Sequence, residues 1–185
     1  MAGTPHYRNS RVSMNKWEPE YLSQFEIIIT PPPGISNWSL VMENVSKVSG
    51  LEINKMPGVV EQKYKSAKRS FAGGAVDNTA IDIQLDFEVN VNDENSSFVY
   101  KALRQWCDLV YDPLTGKMGM KKDYTGGPAI INQFQKNGDI YRQIVIPSLF
   151  PTTPIGNKDL EFASNDIYKI SGFTFRCDFW DETIV

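Results

Sequence analysis

From Ile81 to Val91 the residues alternate without a break. Ile81, Ile83, Leu85, Phe87, Val89 and Val91 are apolar, and Asp82, Gln84, Asp86, Glu88 and Asn90 between them are polar. Side chains on a strand point to opposite faces in turn, so Thr79 to Val91 is predicted as one strand with a dry face and an acidic wet face. At ~3.3 Å per residue it would reach roughly 40 Å, which demands paired neighbours along its length. Tyr21 to Thr30 is predicted as an earlier strand, with Phe25, Ile27 and Ile29 on one face and Ile28 on the other. Pro31, Pro32 and Pro33 stop it, because proline has no N–H to give the ladder. Trp38 to Val48 reads as a second strand of irregular alternation, with Leu40, Met42 and Val45 inward. Val99, Ala102, Leu103, Trp106 and Val110 recur at helical spacing after a cap at Asn95, Ser96 or Ser97, and Asp112-Pro113 ends that helix. Ala129 to Gln135 and Asp139 to Ile146 flank Lys136-Asn137-Gly138, a hairpin with Asn-Gly in a type I′ turn. Asn157 to Phe162 reads as a short strand. Asn165-Asp166 then turns the chain into a last strand, Ile167 to Trp180. There Phe173, Phe175, Cys177 and Phe179 share a face, and Gly172 marks a bulge. The core should gather Phe87, Trp106, Phe173 and Phe175 under the helix.

Three stretches resist this reading. Residues 1–20 are polar and end near Pro19, and they are expected to form an N-terminal arm ahead of a single domain over 21–185. Gly50 to Val76 reads as a long connection without regular structure, carrying Lys63, Lys65, Lys68 and Arg69 around Tyr64. Those cations are either a solvated edge that discourages stray pairing or a contact with an acidic surface. Leu114 to Pro128 reads as a glycine-rich loop, and its Gly126-Gly127-Pro128 lacks phosphate-loop spacing. Leu149-Phe150-Pro151-Thr152 is expected to lead into a further loop.

Composition narrows the chemistry. A net charge of -3 argues against nucleic-acid binding as the main task. No apolar run approaches the ~20 residues of a membrane span, and Met1 to Met14 lacks the apolar core of a secretory signal. The single histidine, His6, lies in the arm, so a catalytic triad would have to recruit it from there. Cys107 and Cys177 read as small buried hydrophobes, and no metal site can be assembled. The carboxylates of Thr79–Val91 lie along one strand face and read as a solvated row. Neither an enzyme nor a cofactor is expected.

The order of parts resembles a known family. An early strand ends in a proline-rich loop, and Pro57-Gly58-Val59 precedes a basic stretch, Lys63 to Arg69. A long strand, one helix with Trp106, a hairpin, the Leu149-Phe150-Pro151-Thr152 corner and an aromatic end at Asp178-Phe179-Trp180 follow. Over roughly residues 21–182 this is similar to the tail tube proteins of contractile-tailed, myovirus-type phages and related contractile injection systems. The arm and the enlarged loop after the helix depart from that pattern. The resemblance implies a mainly β (α+β) fold, an antiparallel β-sandwich or barrel with one packed α-helix. It implies a structural subunit that forms stacked hexameric rings, a hollow conduit for genome delivery inside a contractile sheath. The partners implied are further copies, the tail sheath protein, baseplate and tail terminator proteins, and a tape measure protein or double-stranded DNA in the lumen. The implied place is the virion tail, assembled in the host cytoplasm. A minor tube-initiator or terminator ring, a type VI secretion-like tube subunit and a monomeric ligand-binding β domain are the alternatives. If the central strand belongs to the inner sheet, Asp82, Gln84, Asp86, Glu88 and Asn90 line a negative lumen that DNA slides past. Lys63, Lys65, Lys68 and Arg69 would then contact a neighbouring subunit.

Overall fold

The computed structural model describes residues 21–51, 58–74, 80–89, 97–155 and 167–184. Asn90, the arm with His6, the cap candidates Asn95 and Ser96, the strand expected at Asn157 to Phe162 and the turn at Asn165-Asp166 lie outside them. Twelve strands, β1 to β12, form two four-stranded sheets and two short two-stranded ones. The first large sheet runs in the order β1 (Phe25–Ile29), β8 (Ala129–Phe134), β9 (Ile140–Ile146), β12 (Asp181–Ile184). The second runs β10 (Leu149–Pro151), β11 (Lys169–Cys177), β5 (Ile81–Glu88), β2 (Val45–Ser49). All pairings between these strands are antiparallel. This is the mainly β architecture that the alternation implied.

Strand β5 alternates as expected. Ile83, Leu85 and Phe87 are buried, and Asp82, Gln84 and Glu88 are exposed. It is paired on both edges, to β11 and β2, which satisfies its ladder. In register, Leu85 lies beside Phe173 and Ile83 beside Phe175, so the two strands build one apolar face. A helix over Phe98–Val110 carries Val99, Ala102, Leu103 and Trp106 into the same core as both sheets. Trp106 packs 5.1 Å from Phe175 and 5.0 Å from Trp38, ring centre to ring centre. Its Nε1 donates to the Tyr124 carbonyl oxygen at 2.7 Å. Gly126 has to be glycine, since a Cβ there would stand 2.6 Å from the Trp106 ring and from the Thr30 oxygen. The expected cluster of Phe87, Trp106, Phe173 and Phe175 is therefore the centre of the molecule.

Several elements differ from the sequence reading. Trp38 to Val48 is not one strand: a helix, Trp38–Glu43, precedes β2. Trp38, Val41, Met42 and Val45 stand at i, i+3, i+4 and i+7, a helical period that the uneven alternation concealed. Gly50 to Val76 contains a regular hairpin, β3 (Val59–Tyr64) and β4 (Ala67–Ala72). Leu114 to Pro128 holds part of a small hairpin, β6 (Tyr111–Asp112) with β7 (Lys117–Met118), and a helical turn at Lys121–Tyr124. The Asp112 carboxylate closes that small hairpin by accepting from Leu114 N–H and Thr115 Oγ1. Leu149–Pro151 is an edge strand, where Pro151 is tolerated. Ser97 caps the long helix by position, with no side-chain hydrogen bond.

The hairpin at Asn137 forms where expected, but its turn is of another type. Gly138 has φ +90 and Asn137 does not have positive φ. Gly138 N–H donates to Gln135 and Gln135 N–H to Asp139, a three-residue loop with a bulge glycine. The final segment also splits. Gly172, at φ +67, sits where the β11 register shifts, so the expected bulge is present. Beyond Cys177 the chain leaves that sheet and returns as β12 in the other. Phe179 falls in this crossing and is 60% exposed instead of sharing the buried face.

Candidate functional site

No group of three or more His, Cys, Asp or Glu residues suited to a metal occurs among the described residues. Both cysteines are free thiols. Burial, then the nearby Asp108, pushes the Cys107 thiol up to about 11. Burial, then Asp178 and Asp82, does the same for Cys177, also to about 11. Thiols held so far above neutrality stay protonated and are poor nucleophiles.

The wet face of β5 is more balanced than its own sequence suggests. Arg176 on β11 donates to both Asp82 carboxylate oxygens at 2.8 Å. That hydrogen bonding lowers the Asp82 pKa below the usual carboxylate range, against a smaller desolvation effect, with charge attraction adding to it. Lys169 donates to Glu88 at 2.8 Å. Asp86 accepts the Gly172 N–H at 2.7 Å and lies opposite Lys47 in register. Gln84 sits between Ser49 and Thr174. Thus Asp82, Gln84, Asp86 and Glu88 do share a face, but cations from β2 and β11 accompany each carboxylate. The expected negative row becomes a lattice of exposed cross-strand pairs. The signal was present in the last strand, where Arg176 alternates with the phenylalanines.

The other large sheet presents a different outer surface. Between its buried rows run Ile28, Ile130, Val145 and Asp181, and then Glu26, Asn132, Gln143 and Thr183. Gln143 Nε2 donates to Asn132 Oδ1 at 2.9 Å, and Asn132 Nδ2 donates to Glu26 at 3.4 Å. Neither row contains a lysine or arginine.

The hairpin β3–β4 bears the four cations expected at a contact. Every residue of its two strands is exposed. Lys63 and Lys68 are register partners on one face, together with Glu61, which Lys68 meets at 2.8 Å. Arg69 lies on the other face with Val60, Phe71, Gln62 and Tyr64. Lys65 occupies the turn at φ +55, with its ammonium 5.9 Å from the Tyr64 ring centre. The structure therefore brings the four onto one element but divides them between faces. Val60, Tyr64 and Phe71 are 56%, 65% and 50% exposed, an apolar strip that sequence reasoning missed. The period-two order of Val60, Gln62 and Tyr64 against Arg69 and Phe71 was its signal. A two-stranded hairpin is at best marginally stable alone in water, so this one needs a surface to lie on.

Sequence comparison identifies no relative: no family model matches the chain, and neither does any curated protein. Comparison of shape does. The anti-feeding prophage cap, a tube terminating cap, superposes with a TM-score of 0.59 at 15% identity, over 91% of this chain and 93% of that one. A chain of the sheath–tube complex of the PVC extracellular contractile injection system, in its extended state, gives 0.57 at 15% identity, over 99% and 100%. A chain of the sheath/tube terminator of the same system gives 0.54 at 15% identity, over 90% and 98%. The chain thus has the tail-tube-like fold that its order of elements implied, the fold found in cap, terminator and sheath–tube assemblies of contractile injection systems.

Proposed function

We propose that this protein is a non-catalytic subunit of a contractile tail or injection machine, whose copies close into rings and stack into a hollow tube inside a sheath. The likeness to tube, cap and terminator assemblies supports the class of machine. The observation that carries the self-assembly is the hairpin β3–β4, exposed on both faces and too small to be stable without a partner surface. Open edges point the same way. β1, β12, β10 and β2 each end a sheet, and a closed ring of identical copies would cover such edges. The end-to-end match with the sheath–tube chain supports the repeated tube subunit over a terminal cap. Its neighbours would be further copies, sheath, baseplate and terminator proteins, in a tail assembled in the host cytoplasm.

Two sheet surfaces compete for the lumen. The β5 face, with Asp82, Gln84, Asp86 and Glu88, carries Arg176, Lys169 and Lys47 among its carboxylates. The outer rows of the β1-β8-β9-β12 sheet carry Glu26 and Asp181 and no cation. A polyanion such as DNA slides past a wall without cations and lingers on one with them. We therefore assign the lumen to the second surface and the ion-paired β5 face to the outside of the tube.

The test is electron microscopy of the purified chain, followed by reconstruction. Rings or open-ended tubes with Glu26 and Asp181 facing the channel are expected. Compact monomers at every concentration and salt would overturn the assembly. Tubes lined by Asp82 and Glu88 would overturn only the choice of sheet.

A further inference from the structure

Strands β1 and β2 each have one unpaired edge, β1 in the first sheet and β2 in the second. Between them, roofed by the helix Trp38–Glu43, lies an open groove of about 1140 Å³. Phe25, Ile28, Trp38 and Met42 give it apolar walls. Glu26 and Glu43 are its only charged lining residues. Glu43 has no ion pair or hydrogen-bonding partner among the described residues, and neither has Arg69 on the hairpin. Leu22 and Ile28 in the groove are 88% and 45% exposed, and so are the apolar side chains of the chain's own hairpin. The protein thus carries an apolar, acidic groove and an apolar, cationic hairpin, and does not join them within one copy.

We propose that the groove between β1 and β2 seats the Val60–Tyr64–Phe71 face of the β3–β4 hairpin of a second copy, with Arg69 of the incoming hairpin meeting Glu43. This rests on the self-assembly proposed above and names the surface that receives the hairpin. The two features are complementary in three ways. Exposed apolar side chains on the hairpin match apolar walls in the groove, which removes both from water. Four hairpin cations against the single Glu61 match a groove lined by carboxylates alone. The free backbone edges of β1 and β2 offer the incoming strand hydrogen-bonding groups that nothing in the copy itself uses. A heterologous contact of this kind, hairpin to groove and never hairpin to hairpin, propagates from copy to copy and builds rings or filaments.

The experiment is a charge swap in the full chain, with assembly followed by sedimentation and folding followed by circular dichroism. Arg69→Glu alone and Glu43→Arg alone should each raise the concentration for half-assembly roughly tenfold, with the fold intact. The double variant, Arg69→Glu with Glu43→Arg, should return most of that loss, since a restored pair couples the two sites. If Arg69→Glu weakens assembly while Glu43→Arg does not, the hairpin docks elsewhere and the groove is overturned, with self-assembly standing. If neither change matters while tubes still form, the whole contact is overturned. A photoreactive phenylalanine analogue at Met42 gives an independent reading. It should crosslink to a hairpin peptide of another copy, and capture of residues 1–20 instead would overturn the assignment.

Discussion

The hairpins β8–β9 and β3–β4 have almost the same backbone and opposite fates. Each is antiparallel, and each has six registered pairs. In β8–β9, Ala129, Ile131, Ile144 and Ile146 are at most 1% exposed, and β1 and β12 flank the pair on either side. In β3–β4 nothing is buried and no further strand is added. Backbone hydrogen bonds alone do not separate them, because water offers the open chain equivalent bonds. What separates them is the surface that one face covers. The first hairpin finds that surface in its own chain. The second has the side chains for it, in Val60, Tyr64 and Phe71, and awaits it from another copy.

The comparison is sharpest when the same truncation is made in both regions. Phe87 is fully buried, with its ring 6.2 Å from Phe173. Phe87→Ala should cost about 3–5 kcal/mol, the range for removing a buried phenylalanine. In a chain of this size that lowers the melting temperature on the order of 10 °C. Phe71→Ala on the hairpin removes an equal side chain, but from water. Its effect on monomer unfolding should stay within about 0.5 kcal/mol, as for surface changes away from packed features. Assembly should weaken instead. Calorimetry at a concentration where the chain is monomeric separates the two effects. A large thermal shift in the Phe71 variant would show that the hairpin already packs within one copy, and would break the comparison.

The same contrast explains what could be read in advance. Buried positions announce themselves by period. Ile83, Leu85 and Phe87 alternate, and Val99, Ala102, Leu103 and Trp106 follow the helix, so the core was legible before any coordinates. The long connection was misread because its turn lacks the usual signal: Lys65 adopts the positive φ where glycine is common. The helix at Trp38 was misread because only Trp38 and Val41 are fully covered in it. The charge of the β5 face was misread for a different reason. One strand shows its own carboxylates, but the net charge of a sheet depends on which residues register brings alongside. Arg176 reaches Asp82 across 94 positions of sequence, and no local pattern contains that pairing.

The smallest difference between the two regions concerns their ion pairs. Asp82–Arg176 is bidentate and ties β5 to β11 within the larger sheet. Glu61–Lys68 is a single contact across the lone hairpin. Both are about half exposed, so each is worth at most about 1 kcal/mol after screening by water and salt. Only the first has a strand ladder holding its partners in place, so Asp82→Asn should lower stability by a few tenths of a kcal/mol to about 1 kcal/mol at pH 7. Glu61→Gln should leave monomer stability unchanged. The acid limb gives a second measure. The folded pKa of Asp82 is depressed by Arg176, so its contribution is complete above the unfolded value of about 3.9. It is lost as pH falls through the lower, folded value. Native and Asp82→Asn chains should therefore differ in urea midpoint at pH 7 and converge below about pH 4. A gap that persists unchanged in acid would show that the asparagine disturbs packing, and that charge does not hold β5 to β11.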